Sequence, residues 1–194
     1  MPDDSKGPIE VEHNVALGPL TQAATVKLRH HKRLPDEHPF YMAIGRVASE
    51  WAHLEHTLDL IIWDLAGWKL NMHQSVLACI TAQIMGVGPR CKVIQALGEL
   101  RELDDSVLKP ARTLMSDAYP VADWRARWVH DPWYIDANSD AVGQFRAMPN
   151  ADRRYGIKDI DLDDVTKTIK EIGALQERAS ALRNSVLAAL GAYT

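Results

Sequence analysis

The densest chemistry in the chain lies in one short stretch, Trp124-Arg125-Ala126-Arg127-Trp128-Val129-His130-Asp131-Pro132-Trp133-Tyr134. Histidine exchanges protons near neutral pH, and the forked donors of arginine suit a phosphate. Acid–base chemistry beside a guanidinium is what phosphodiester cleavage requires. Val121, Trp124 and Trp128 keep a helical spacing, whereas Asp131 precedes Pro132 and is pushed out of the α region. The stretch therefore sits where a helix ends, near His130, and the negative end of the helix dipole favours a cation there. Arg125 and His130, five positions apart, stand about 140° from each other around the axis. They share no face, so one substrate meets both only through the length of arginine or through a second helix. A structural reading stays open beside this one. In it Trp124, Trp128 and Trp133 anchor the helix end, Arg125 pairs with an acid and His130 caps carbonyls.

Other constellations carry less. Glu50-Trp51-Ala52-His53 is a Glu-x-x-His pair, followed by His56 and Asp59. Di-iron bundles draw that motif from two helices, and the sequence holds one, so neither a metal nor a cofactor is expected. Cys79 and Cys91 are too few for a disulfide framework or a cysteine-based zinc site. Cys79, among Val76, Leu77 and Ile80, reads as a buried apolar filler. Gly86-Val87-Gly88 lacks the strand, third glycine and lysine of a phosphate loop, and no serine stands in a nucleophile-elbow context.

The elements that must position these residues are helices. Phe40, Ile44, Val47, Trp51, Leu54, Leu58, Ile61 and Leu65 alternate spacings of four and three, an unbroken apolar stripe. Pro39 suits its first position and Gly67 its stop. A second helix carries Val76, Leu77, Ile80 and Ile84, capped by Asn71 and stopped at Gly86. Pro89 opens a third, through Val93, Ile94, Leu97, Leu100 and Leu103. Ser106 caps a fourth, which Pro120 should break or kink before it resumes through Trp128. Trp133-Tyr134-Ile135 and 142–148 flank the turn-like Asn138-Ser139-Asp140, which suggests a small hairpin or ordered loop. The last helix starts at Asp161–Asp164, carries Val165, Ile169, Ile172, Leu175, Ala179, Leu182, Val186 and Leu190, and stops at Gly191. The expectation is an all-α bundle of about five helices, residues 39–194, with a short hairpin or loop insertion before the last helix. Residues 1–38 read as an irregular arm, in which the basic, partly alternating run 25–34 suits a short strand or an extended segment, with 27–33 either phosphate-contacting or a solvated surface stretch.

Composition bounds the rest. The chain has 194 residues, 46% of them hydrophobic, enough for one core. Its 22 Lys+Arg against 26 Asp+Glu give a net charge of −4, so nucleic acid would have to bind a local patch. The start of the sequence has no basic-then-apolar signal pattern, and Leu60-Ile61-Ile62-Trp63 is flanked by Asp59 and Asp64. A cytoplasmic protein without membrane contact is expected.

Arg125, four intervening residues and His130, at the end of a helix in an all-α bundle, resemble the Arg-x4–6-His signature of HEPN domains (higher eukaryotes and prokaryotes nucleotide-binding). Arg127, Val129 and Trp133 also match the form seen in many bacterial members, and the long first and last helices fit the family's layout. Ala126 stands where that form has a polar residue, usually Asn. The resemblance implies a metal-independent ribonuclease of toxin or defence type, or a catalytically degenerate RNA-binding relative. It implies Arg125 and His130 as the catalytic pair, with Arg127, Asp131 and Trp133 as substrate-binding neighbours. His130 would handle the proton of a ribose 2′-hydroxyl and Arg125 the phosphate charge. It further implies a homodimer whose two motifs face one cleft, with an antitoxin or nucleotidyltransferase as partner. A non-enzymatic helical interaction or scaffold protein, acting as a homodimer, is the alternative.

Overall fold

The computed structural model describes residues 31–67, 73–147 and 155–191. Along the chain run β1 (His31–Arg33), α1 (Pro39–Gly67), α2 (Gln74–Thr81), α3 (Val87–Leu100) and α4 (Asp105–His130). They are followed by β2 (Trp133–Asp136), β3 (Val142–Ala147), β4 (Tyr155–Asp159) and α5 (Leu162–Ala189). The fold is a mainly helical bundle with one small antiparallel sheet in the order β1-β2-β3-β4. Among the described residues, no helix is long and apolar enough to cross a membrane.

The α1 stripe is the spine of the core. Val47, Trp51, Leu54, Leu58, Ile61 and Leu65 are all buried, and α1 packs mainly on α5 and α3. From α5, Val165, Ile172, Leu175, Ala179, Leu182 and Val186 face the same core. The acidic residues flanking the stripe tie α1 to its neighbours. Arg90 on α3 donates to Asp59 at 2.7 Å, Arg183 to Asp64 at 2.8 Å, and Gln176 to the Glu50 carbonyl at 2.6 Å. Glu50 also faces Arg46, so the acid of the Glu-x-x-His pair is held in structural contacts, while His53 and His56 are exposed.

Several local expectations change. The fourth helix runs unbroken through Pro110 and Pro120. Both prolines are exposed, and the carbonyls they leave unbonded belong to exposed Ser106 and Ser116, where water can serve them. Buried Ala111, Leu114, Ala118 and Val121 hold the helix on the core, so packing outweighs the lost bonds. Its cap is Asp104, whose carboxylate accepts the Ser106 amide at 2.8 Å. Asn71 lies outside the described residues; α2 is capped by His73 and ends at Thr81, and α3 begins two residues before Pro89. The predicted hairpin exists as β2 and β3, but β1 and β4 extend it into a sheet. Since β1 pairs with β2 and Leu34 is buried, residues 31–34 join the folded unit; 1–30 lie outside the described residues.

Cys79 corrects the remaining expectation, because it is exposed, while Cys91 is the buried cysteine. An eight-residue helix on the rim of the bundle buries Leu77 but leaves Val76 and Ile80 open. Burial pushes the Cys91 thiol up to about 11. Reaction with a thiol reagent at pH 8 should therefore show one fast cysteine, with the second appearing only on unfolding. Two fast thiols would contradict this packing. Because the folded state holds the Cys91 proton more tightly, its contribution to stability is complete below the ordinary thiol pKa and is lost as pH rises toward 11.

Candidate nucleic-acid site at the end of the fourth helix

A helix end leaves its last carbonyls without intrahelical donors, and Pro132 has no N–H to offer. Here side chains take over. The Trp133 indole donates to the Trp128 carbonyl at 3.1 Å, and the Gln144 amide to the Arg127 carbonyl at 2.7 Å. The Asp131 backbone N–H reaches the same Arg127 oxygen at 3.0 Å. One turn back, the Trp128 indole donates to the Thr168 hydroxyl on α5 at 2.9 Å, and that hydroxyl donates to the Asp164 carbonyl. Gln144 is fully buried on β3 and its Oε1 has no partner.

Rings continue this scaffold to the surface. Trp124 stacks on Trp128 at 5.2 Å, Trp128 on Trp133 at 5.8 Å, and Trp133 meets Phe40 of α1 at 5.2 Å. Trp124, at the outer end, is 37% exposed and carries the Arg146 guanidinium 5.6 Å from its ring centre. Such a contact is worth about 0.5–1 kcal/mol at an exposed position.

The five residues singled out in the sequence fall into three settings. His130 is exposed and its side chain has no hydrogen bond or ion pair among the described residues. Arg127 and Asp131 are half-buried on the flank that carries Trp124, and both their charges act on Arg146. Arg125 stands about 200° around the helix from Arg127, half-buried, with its Nε shielded from water and unbonded. Trp133 is 8% exposed and its N–H is spent on the Trp128 carbonyl, so it is chiefly a wall and not a free contact. The structural reading of this stretch changes accordingly. The tryptophans do anchor the helix end, yet among the described residues Arg125 pairs with no acid and His130 caps no carbonyl. Within one chain Arg127, three residues before His130, is its neighbour on the helix face, at about 60°.

The arginines as a set show what is unusual here. Among the described residues, Arg33, Arg46, Arg90, Arg112, Arg178 and Arg183 each face a carboxylate, and Arg101 donates to the Leu65 and Ala66 carbonyls. Arg125, Arg127 and Arg146 do neither. Burial, and then the Arg127 charge, lower the pKa of the Arg146 guanidinium, while Asp131 and Asp164 oppose the shift. Two crowded guanidiniums that close no ion pair among the described residues make a place for an anion. Among the described residues no group of three or more His, Cys, Asp or Glu could hold a metal ion. Arg146, Gln144 and Thr168 escaped the sequence reading because they come from β3 and α5, and nothing in their local spacing ties them to α4.

The helix-end scaffold is testable at Thr168. Replacing it by the near-isosteric Val strands the buried Trp128 N–H, an unsatisfied donor that costs about 1–3 kcal/mol. Urea unfolding of Thr168→Val should show that loss. A change within error would mean that water or a rotated ring replaces the bond.

Comparison of this chain with family models, with curated proteins and with solved structures finds no match to any of them, so the site is read on its own geometry.

Proposed function

We propose that this protein binds single-stranded RNA at the carboxyl end of α4 and cleaves it there without metal, in the manner of a HEPN-like ribonuclease. The observation that carries the reading is the charge inventory. The three described arginines for which no described residue supplies a carboxylate or carbonyl partner lie on α4 and β3, together with exposed Trp124 and His130. A strand supplies both things this surface has in reserve contacts for, phosphates for the guanidiniums and bases for the indole.

The chemistry needs no further component. The ribose 2′-oxygen attacks the adjacent phosphorus while its proton passes to His130. The bond to the 5′-oxygen breaks, that oxygen takes up a proton from solvent water, and a 2′,3′-cyclic phosphate remains. Arg127 and Arg146 hold the non-bridging oxygens. Arg125, on the far side of the helix, meets a strand on His130 only from a second subunit, which is why the reading includes a homodimer. Ala126 sets the catalytic level low, since it offers no hydrogen bond where the family's polar residue would; a binding relative that has lost cleavage lies at the end of the same scale. A cytoplasmic toxin of this kind requires an antitoxin or a nucleotidyltransferase to restrain it. The second reading, a non-enzymatic interaction protein, draws on exposed Val76 and Ile80 of α2 and on Met85 just beyond it.

Light scattering should give about twice the chain mass of 21.7 kDa; a monomer at all concentrations would remove Arg125 from the site. Cleavage of single-stranded RNA without added metal should vanish in His130→Ala with circular dichroism unchanged. Position 126 is exposed, so asparagine fits there without displacing a neighbour. Ala126→Asn should raise the rate about 10- to 100-fold, the worth of one hydrogen bond to charge acting in the transition state. If neither chain cuts RNA and Arg127→Ala binds it as tightly as the native protein, the interaction-protein reading holds instead.

A further inference from the structure

The same end of the molecule carries a second feature that neither the helix-end chemistry nor the bundle explains. An open groove of about 410 Å³ is lined by Arg33, Tyr41, Pro132, Trp133 and Tyr134. Three elements build it: the edge strand β1, the first turn of α1, and the α4–β2 junction. Arg33 and Tyr134 are directly paired across β1 and β2, so their side chains leave the sheet on one face. The groove is thus an aromatic-walled slot with a guanidinium at its rim, at the lower end of the size range of small-ligand sites.

We propose that this groove is a base-binding subsite for single-stranded RNA, with a base against Tyr134 and Tyr41 and its phosphate on Arg33. This inference rests on the RNA reading above and extends it to where the strand runs. Three observations favour a nucleotide as occupant. Pro132 in the groove wall is two residues from His130, a span of at most about 7 Å. Trp133, also in the wall, is two ring-to-ring steps of 5.8 and 5.2 Å from exposed Trp124, within the reach of a short oligonucleotide. The guanidiniums along this path are uncommitted or cheaply released. Among the described residues Arg127 and Arg146 close no ion pair, and Arg33 is held by a hydrogen bond to the Tyr41 hydroxyl and by Asp36 at 3.3 Å, with the Arg33 and Asp36 side chains at least 80% exposed. Exposed pairs of that kind contribute little, so a phosphate displaces Asp36 at small cost. Aromatic walls accept any base by stacking, which predicts tolerance of sequence.

The test is fluorescence anisotropy of the full chain with a labelled oligouridylate, in the native protein and in Tyr134→Ala, Tyr134→Phe, Arg33→Glu and Arg127→Ala. Loss of one stacked base weakens binding about 5- to 100-fold, so Tyr134→Ala should fall in that range while Tyr134→Phe stays near native. Arg33→Glu, at an exposed position where folding is not at stake, should weaken binding and reduce the salt dependence of affinity by about one counterion. Native-like binding by Tyr134→Ala and Arg33→Glu, with Arg127→Ala impaired, would overturn the groove and leave the RNA reading standing. No binding by the native chain would overturn the RNA reading itself, and the groove with it. A proline-rich peptide that binds the native protein but not Tyr134→Ala, and displaces no RNA, would assign the groove to a peptide and also overturn the proposal.

Discussion

The carboxyl end of α4 is the joint on which the molecule turns. Its last carbonyls lie where a proline follows, so the chain cannot close the helix by itself and must borrow donors from elsewhere. It borrows them from Trp133 just after the turn and from Gln144 on the next strand, while Trp128 reaches across to Thr168 on α5. These three bonds join the helical layer, the sheet and the last helix at one place. Each has a buried partner, and buried bonds are those whose loss leaves an unsatisfied group. The α4–β2 junction is therefore rigid for reasons independent of any ligand, and side chains projecting from it are held in register. A site built on such a support is better pre-organised than one on a free loop.

Rigidity at the joint also explains the stack of rings. Trp128 and Trp133 serve as core residues and as bond donors at once, which fixes both ring planes. Trp124 then extends the stack outward from a base that cannot tilt, and Arg146 lies over it from the neighbouring strand. On the other face of the sheet, glycine at 143 has a separate role. A Cβ there would run into the Ile157 side chain, so the close β3–β4 contact needs a residue without one. The β3 strand is thereby held against β4 while Gln144 and Arg146, its alternate residues, face the helices.

How much of this was legible in the sequence follows from the range of each interaction. The α1 stripe, the start at Pro39, the stop at Gly191 and the β2–β3 hairpin were visible because each depends on residues within a turn or two. Pro120 misled because its cost is local while the compensation, burial of Ala118 and Val121 beside it, is tertiary. Cys79 misled because apolar neighbours in sequence do not tell which side of a short rim helix faces the core. The cluster at 124–134 was legible as chemistry but not as geometry. Arg127 had been placed second to Arg125, yet two of the charges gathered near its flank, Arg146 and Asp164, come from other elements farther along the chain. Helical spacing alone does separate Arg125 from His130, and that much the sequence states plainly.

The unbalanced charge at this joint points toward function on energetic grounds. The protein has excess acid overall, and at seven other described arginines it spends carboxylates or carbonyls to match each guanidinium. Asp123 and Asp131 stand one helical turn either side of Arg127, yet neither closes to an ion pair with it or with Arg146. Instead Arg146 sits partly desolvated beside a like charge, which disfavours its charged form. A fold that settles its charges elsewhere but leaves two crowded here loses stability that a single substitution could recover. Departures of this kind from otherwise consistent packing gather where a site must stay open for something not yet bound. An anion on Arg127 and Arg146 would reverse the cost, because it supplies a close counterion that the described residues do not, and does so near His130, an exposed group suited to move a proton.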